Sequence, residues 1–174
     1  TALLYDDGPV AIRYPRGEAE GVPRPKRPEQ IEIGEGELLR EGERIAFLGY
    51  GYGVQVALGA AARLLEEHGL DCTVADARFA KPLDGELISR LASEHDLLVT
   101  VEENVLAGGF GSAVLEFLAD RDLAGRSRVM RFGLPDRYVT HGKPALLREE
   151  VGLTPEAVAR RVAEAVLEPS GALA

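Results

Sequence analysis

From Ile45 onward the chain alternates short apolar runs with longer stretches of helical period, a rhythm compatible with few architectures. Residues 45–48 form a continuous apolar strand, after which Val54, Leu58, Ala61 and Leu65 recur at the spacing of one buried helical stripe, closed by His68 and Gly69. The unit repeats as a strand over 73–77, a helix over 84–94 with Asp84 as its N-cap, a strand over 97–101, a helix over 112–119 and a strand over 129–132. A last helix opens at Thr154 as N-cap, carries Pro155 in its first turn and turns Val158, Val162 and Val166 inward. Residues past Glu168 are expected to trail into solvent. Asp6-Asp7-Gly8-Pro9 signals a turn ahead of one more short strand over 10–14, ended by Pro15. Alternation of this kind implies right-handed crossovers and an α/β fold, a three-layer sandwich around a mainly parallel five-stranded sheet.

The start of the chain has a different texture. Thr1 to Tyr5 reads as the frayed end of a helix from an upstream domain, so the chain is expected to be a piece of something longer. Between Gly17 and Glu37, Pro23, Pro25 and Pro28 with Arg24, Lys26 and Arg27 among them favour an extended, semi-rigid connection.

A length of 174 residues suits one well-packed core. No window approaches the ~18 uninterrupted apolar residues of a membrane helix, which points to a soluble chain with no membrane partner. Twenty Lys and Arg against 29 Asp and Glu give a net charge of −9, which opposes nucleic-acid binding because phosphate neutralisation needs clustered cations. Cys72 is the single cysteine and lies in an apolar segment. It reads as a core residue of a protein from the reducing cytoplasm, with no internal disulfide or cysteine-based zinc site.

Chemistry-bearing candidates were weighed in turn. The stretch from Val101 to Val114 runs from an apolar strand through Glu102-Glu103 into the turn Gly108-Gly109-Phe110-Gly111 and then a helix, which leaves backbone N–H groups open at a helix N-terminus for an anion, a partner loop or a neighbouring domain. No Lys-Ser or Lys-Thr pair follows, so it is not a P-loop, and Val114 spoils a nucleophile elbow at Ser112. Gly49-Tyr50-Gly51-Tyr52-Gly53 lacks the third glycine of a dinucleotide fingerprint, and a tight turn permitting close backbone approach is the better reading. Glu102 and Glu103 point to opposite faces of a strand and cannot work as a paired acid and base. His68, His95 and His141 lack metal-ligand spacing and read as surface or capping residues. Arg13-Tyr14-Pro15-Arg16-Gly17 is sharper: two guanidinium groups flank a rigid proline at a strand end, where a phosphate or carboxylate could be clamped, or ordinary salt bridges formed.

Four motifs in order, Gly8 to Gly17, Asp76-Ala77-Arg78-Phe79-Ala80-Lys81-Pro82-Leu83-Asp84, Val101-Glu102-Glu103-Asn104 with its Gly-Gly turn, and Gly133-Leu134-Pro135-Asp136-Arg137-Tyr138, resemble the C-terminal, transketolase-type domain of the 1-deoxy-D-xylulose-5-phosphate synthase family almost end to end. The resemblance implies that residues 1–17 close a preceding pyrimidine-binding domain and connect it, 18–36 are a Pro-rich linker, and 37–174 form the transketolase C-terminal-like domain. It implies an enzyme that condenses pyruvate with D-glyceraldehyde 3-phosphate, losing CO2, for isoprenoid, thiamine and pyridoxal precursors. Thiamine diphosphate and Mg2+ would be bound by domains outside this chain, so the isolated domain is expected to be inactive and to hold no catalytic, cofactor-binding or metal-binding residue. Its expected partners are the remaining domains and a second copy in a homodimer. The resemblance carries over Arg16 as a ligand of the triose phosphate, with Arg13 as a weaker candidate, and leaves Asp76, Arg78, Glu103 and Asn104 to domain or dimer packing. A transketolase, the β-subunit of a 2-oxo-acid dehydrogenase's decarboxylating component, or a non-catalytic interaction module remain alternatives.

Overall fold

The computed structural model describes residues 1–14, Gly21 and residues 26–167. Five strands, β1 (Glu37–Arg40), β2 (Ile45–Gly49), β3 (Cys72–Asp76), β4 (Leu97–Val105) and β5 (Arg128–Leu134), form one sheet in the order β1-β3-β2-β4-β5. The last four run parallel, and β1 is antiparallel to β3. Helices α1 (Gly53–His68) and α5 (Pro155–Leu167) cover one face; α2 (Gly85–Glu94) and α3 (Phe110–Asp120) cover the other. A short α4 (Pro144–Glu150) precedes α5.

Strand alternation divides the core between the layers. Ile45, Phe47, Val74, Leu97, Val99 and Val101 pack towards α1 and α5, whereas Ala46, Leu48, Ala75 and Leu98 pack towards α2 and α3. The central strand β2 is buried at every residue, as a strand covered on both faces must be. The α1 stripe sits one position away from the expectation: Ala57 and Leu64 are buried, while Leu58 is only half-buried and Leu65 is exposed. The reason is the α1–α5 contact, where Ala57, Ala60 and Ala61 on α1 and Ala159 and Ala163 on α5 bring the helices together. At Gly59 a Cβ would lie 2.8 Å from Pro155 Cγ.

Local signals at helix starts hold. The Asp84 carboxylate accepts from Leu87 N–H at 2.9 Å, and its other oxygen accepts from Gly36 N–H at 2.8 Å, pinning the segment before β1 to α2. Thr154 Oγ1 accepts from Ala157 N–H at 3.2 Å at the start of α5, whose Val158 and Val162 are buried and Val166 half-buried. The expected strand over 10–14 is not one: these residues pair with no strand, and Ile12 and Tyr14 are 70% and 82% exposed. β1 takes the fifth place at the β3 edge. Thr1 to Tyr5 contains a single 3-10 turn, Ala2–Leu4. The expectation for residues past Glu168 lies outside the described residues. Among the described residues no helix is long and apolar enough to cross a membrane.

Candidate functional site at the carboxyl edge of the sheet

β2 and β4 are neighbours, yet the helix after β2 lies on one face and the helix after β4 on the other. In open α/β sheets the crevice at such a switch point, outside the carboxyl ends of the strands, is the usual ligand site. Here both glycine turns meet at that place, and the chain's own groups fill it. Tyr50 N–H donates to Val101 O at 2.9 Å, and the Tyr50 ring stacks on Phe110 with centroids 5.1 Å apart. Gly53 approaches β4 so closely that a Cβ would collide with Val101 O. The tight-turn reading of Gly49 to Gly53 is therefore the correct one.

The second glycine turn departs from the sequence reading. Its N–H groups are not open to an outside anion, because Glu102, wholly buried, supplies the anion. One carboxylate oxygen accepts from Phe110 N–H at 2.6 Å and from Asn104 Nδ2 at 2.8 Å, and the other accepts from Gly111 N–H at 2.7 Å. Gly109, the N-cap of α3, offers no side-chain cap, so the carboxylate from β4 satisfies the first-turn donors at the positive end of the helix. The fit needs bare backbone: a Cβ on Gly109 would stand 2.6 Å from a Glu102 oxygen, and one on Gly133 3.1 Å from Glu102 Cγ. Gly108 N–H donates to Ser112 Oγ at 3.1 Å, Ser112 Oγ donates to Leu106 O at 2.8 Å, and Arg131 Nη1 donates to both of those oxygens at 2.8 Å. Ser112 thus closes a loop.

Glu103 faces the opposite layer, as strand alternation requires. Its carboxylate pairs with Arg148 of α4 at 2.8 Å, and the Arg148 guanidinium lies 3.8 Å from the Tyr52 ring centroid. This ion pair is less exposed than any other among the described residues, with 20% and 26% of the two side chains accessible. Arg13 reaches the same residue, donating from Nη2 to Glu103 O at 3.5 Å. Arg16 lies outside the described residues. Neither Arg148 nor Tyr52 was singled out from the sequence, since Arg148 stands 45 positions from Glu103 and no local pattern links them.

The remaining candidates fall elsewhere. Asp76 accepts from Arg78 N–H at 2.8 Å, and Arg78 pairs with Glu37 of β1; burial pushes the Asp76 carboxyl above its ordinary range. His95 is buried between Leu91 O, 3.0 Å from Nδ1, and Thr73 Oγ1, 2.7 Å from Nε2. His68 ends α1 and His141 is exposed. Cys72 is fully buried, its thiol pushed up to about 12 by desolvation. Among the described residues no group of three His, Cys, Asp or Glu side chains converges as metal ligands, and the one fully buried carboxylate is spent on helix donors. The residues described do not form a site for thiamine diphosphate and Mg2+, and no step is routed through that pair.

Comparison with known proteins agrees with this geometry. The family "Transketolase, C-terminal domain" matches residues 34–158. A chloroplastic 1-deoxy-D-xylulose-5-phosphate synthase from Oryza sativa subsp. japonica is 51% identical over 100% of this chain and 24% of its own length. The corresponding synthase of Symbiobacterium thermophilum is 50% identical over 96% of this chain and 25% of its own. The chain thus spans about a quarter of the length of these curated relatives. A solved split-gene transketolase, an inactive β4 tetramer, superposes with a TM-score of 0.70 at 33% identity, covering 80% of this chain and 44% of that one.

Proposed function

The chain belongs to the transketolase C-terminal domain family, and on that premise we propose that it is the C-terminal domain of a 1-deoxy-D-xylulose-5-phosphate synthase. Such a synthase condenses pyruvate with D-glyceraldehyde 3-phosphate, releasing CO2, and feeds isoprenoid, thiamine and pyridoxal precursors. Thiamine diphosphate stabilises the carbanion in that chemistry, with Mg2+ as its anchor, both held by other domains. The observation that carries the reading is the match to two synthases at 50% and 51% identity over nearly the whole chain, against 33% over 80% of it for the split-gene transketolase. That difference favours the synthase over a transketolase. The inactivity of the split-gene β4 tetramer supports the expectation that this domain alone does not turn over substrate.

Within the complete enzyme, the domain's role is to grip the acceptor's phosphate and to pack against the other domains and a second copy in a homodimer, in a cytoplasmic setting. Arg16 is the ligand, with Arg13 beside it. A charge-assisted, bidentate guanidinium contact on a phosphate that does not react holds the aldehyde in place and leaves the bond chemistry to the cofactor. In the complete synthase, Arg16→Ala is expected to raise the KM for glyceraldehyde 3-phosphate about tenfold or more while that for pyruvate stays within twofold. Steady-state kinetics in both substrates checks this, and equal rises would refute the assignment.

A further inference from the structure

Glu103 is where four parts of the molecule meet: β4 carries it, Arg148 of α4 holds its carboxylate, Tyr52 at the start of α1 lies under the Arg148 guanidinium, and Arg13 of the N-terminal segment donates to its carbonyl. The N-terminal segment has little else to hold it. Among the described residues, the hydrogen bonds that leave 1–14 are this one and the contact of Thr1 Oγ1 with Ile31 N–H at 2.9 Å. Only the first reaches the sheet. Helix α4 buries none of its own residues, yet Arg148 is four-fifths covered. A short surface helix that commits its most buried side chain to one strand-end carboxylate is fixing the position of that carboxylate.

Three peptide units separate Arg13 from Arg16, so the two Cα atoms stand within about 11 Å of one another whatever the backbone does between them. Whatever holds Arg13 against Glu103 therefore restricts where the Arg16 guanidinium can be delivered. We propose that Arg148 and Glu103, braced on Tyr52, are positioning residues for acceptor recognition: they hold the end of β4 as the docking point for Arg13 and so place Arg16 for the acceptor phosphate. The proposal rests on the Arg16 reading given above. Neither residue touches the substrate in this account. Their effect passes through Arg16.

That dependence supplies the test. In the complete synthase, Arg148→Gln breaks the charge pair, and Arg148→Lys keeps the charge while giving up the planar fork that stacks on Tyr52. Arg148→Gln is expected to raise the KM for glyceraldehyde 3-phosphate roughly fivefold, the scale of one half-buried charge contact, with pyruvate KM unchanged within twofold. Arg148→Lys should fall between wild type and Arg148→Gln, and it serves alone if the glutamine variant does not fold. The same substitutions are then made in an Arg16→Ala background, where the acceptor effect should vanish because its mediator is gone. A rise that is equal for both substrates, or that persists undiminished without Arg16, overturns the proposal and leaves Arg148 as a fastener of α4. If Arg16→Ala is itself unselective, the acceptor-phosphate reading falls and takes this inference with it. A selective Arg16→Ala beside silent Arg148 variants removes only the inference.

Discussion

The sheet with its five helices and the segment that precedes it obey different rules. From β1 to α5 the side chains are committed to one of two helix layers, and Phe47 at the centre is inaccessible to solvent. In residues 1–14 the apolar side chains have no such partner: Leu3 is 98% exposed. Burial therefore specifies the first region, and a single long hydrogen bond to Glu103 ties the second to the sheet. The motif with the sharpest chemical promise begins in the region with the least packing. A guanidinium there can act with precision only if discrete polar contacts place it, because no core does so.

The sharpest way to break this contrast is to ask how tightly the sheet region is closed. Desolvation holds the Cys72 thiol at about 12, against an ordinary value of 9.0. The folded chain thus keeps between about pH 9 and 12 a proton that the unfolded chain has released. The sign follows: this contribution to stability is complete below pH 9 and is lost as pH rises through that window. At pH 8 the thiolate fraction is lower than in an unfolded chain by roughly three orders of magnitude, and alkylation by iodoacetamide should slow by about that factor. Mass spectrometry of the time course checks it, with denaturant restoring ordinary reactivity. Rapid labelling of the folded chain would show that β3 opens readily and that the two regions differ less than their burial implies.

Next in size is the carboxylate at the switch point. Glu102→Gln keeps the shape but replaces one acceptor oxygen with an NH2 that must face a backbone N–H of Phe110 or Gly111 in a dry site. The expected cost is about 3 kcal/mol, seen as a lower urea midpoint at unchanged slope. A cost below about 1 kcal/mol would mean that water reaches these donors, and the crevice would again be a candidate ligand site.

What could be read from the sequence follows how local each cause is. Asp84 and Thr154 cap helices through contacts three residues away, and both were legible. The opposite facing of Glu102 and Glu103 followed from strand alternation alone. The α1 stripe was displaced by one position because alanine, ambiguous on any hydrophobic scale, occupies the surface where α1 meets α5. The strand over 10–14 was expected from its alternation, but a strand needs an edge to pair with, and Glu-Leu-Leu-Arg of β1, with a charge at each end and too few residues to show a period, holds the β3 edge. The filling of the glycine turn and the Arg148–Glu103 pair were out of reach for the same reason. Each depends on where distant segments meet, and Arg148 is brought to Glu103 only by folding of the 45 residues between them.

The smallest expected effect tests the comparison from the other side. Removing residues 1–30 takes away the Thr1 and Arg13 contacts, but it leaves Gly34 against Pro82, the Gly36 to Asp84 hydrogen bond and all of β1 in place. Both lost contacts are exposed, so the change in stability should stay below about 1 kcal/mol and the melting temperature within about 3 °C. Differential scanning calorimetry of the two lengths decides. A fall of about 8 °C or more would mean that the segment is part of the cooperative unit, and Arg16 would then be held by packing after all. If the melting temperature holds while Arg16 and Arg148 variants of the complete enzyme lose acceptor affinity, stability and recognition reside in separate parts of the chain, and Glu103 is the residue that joins them.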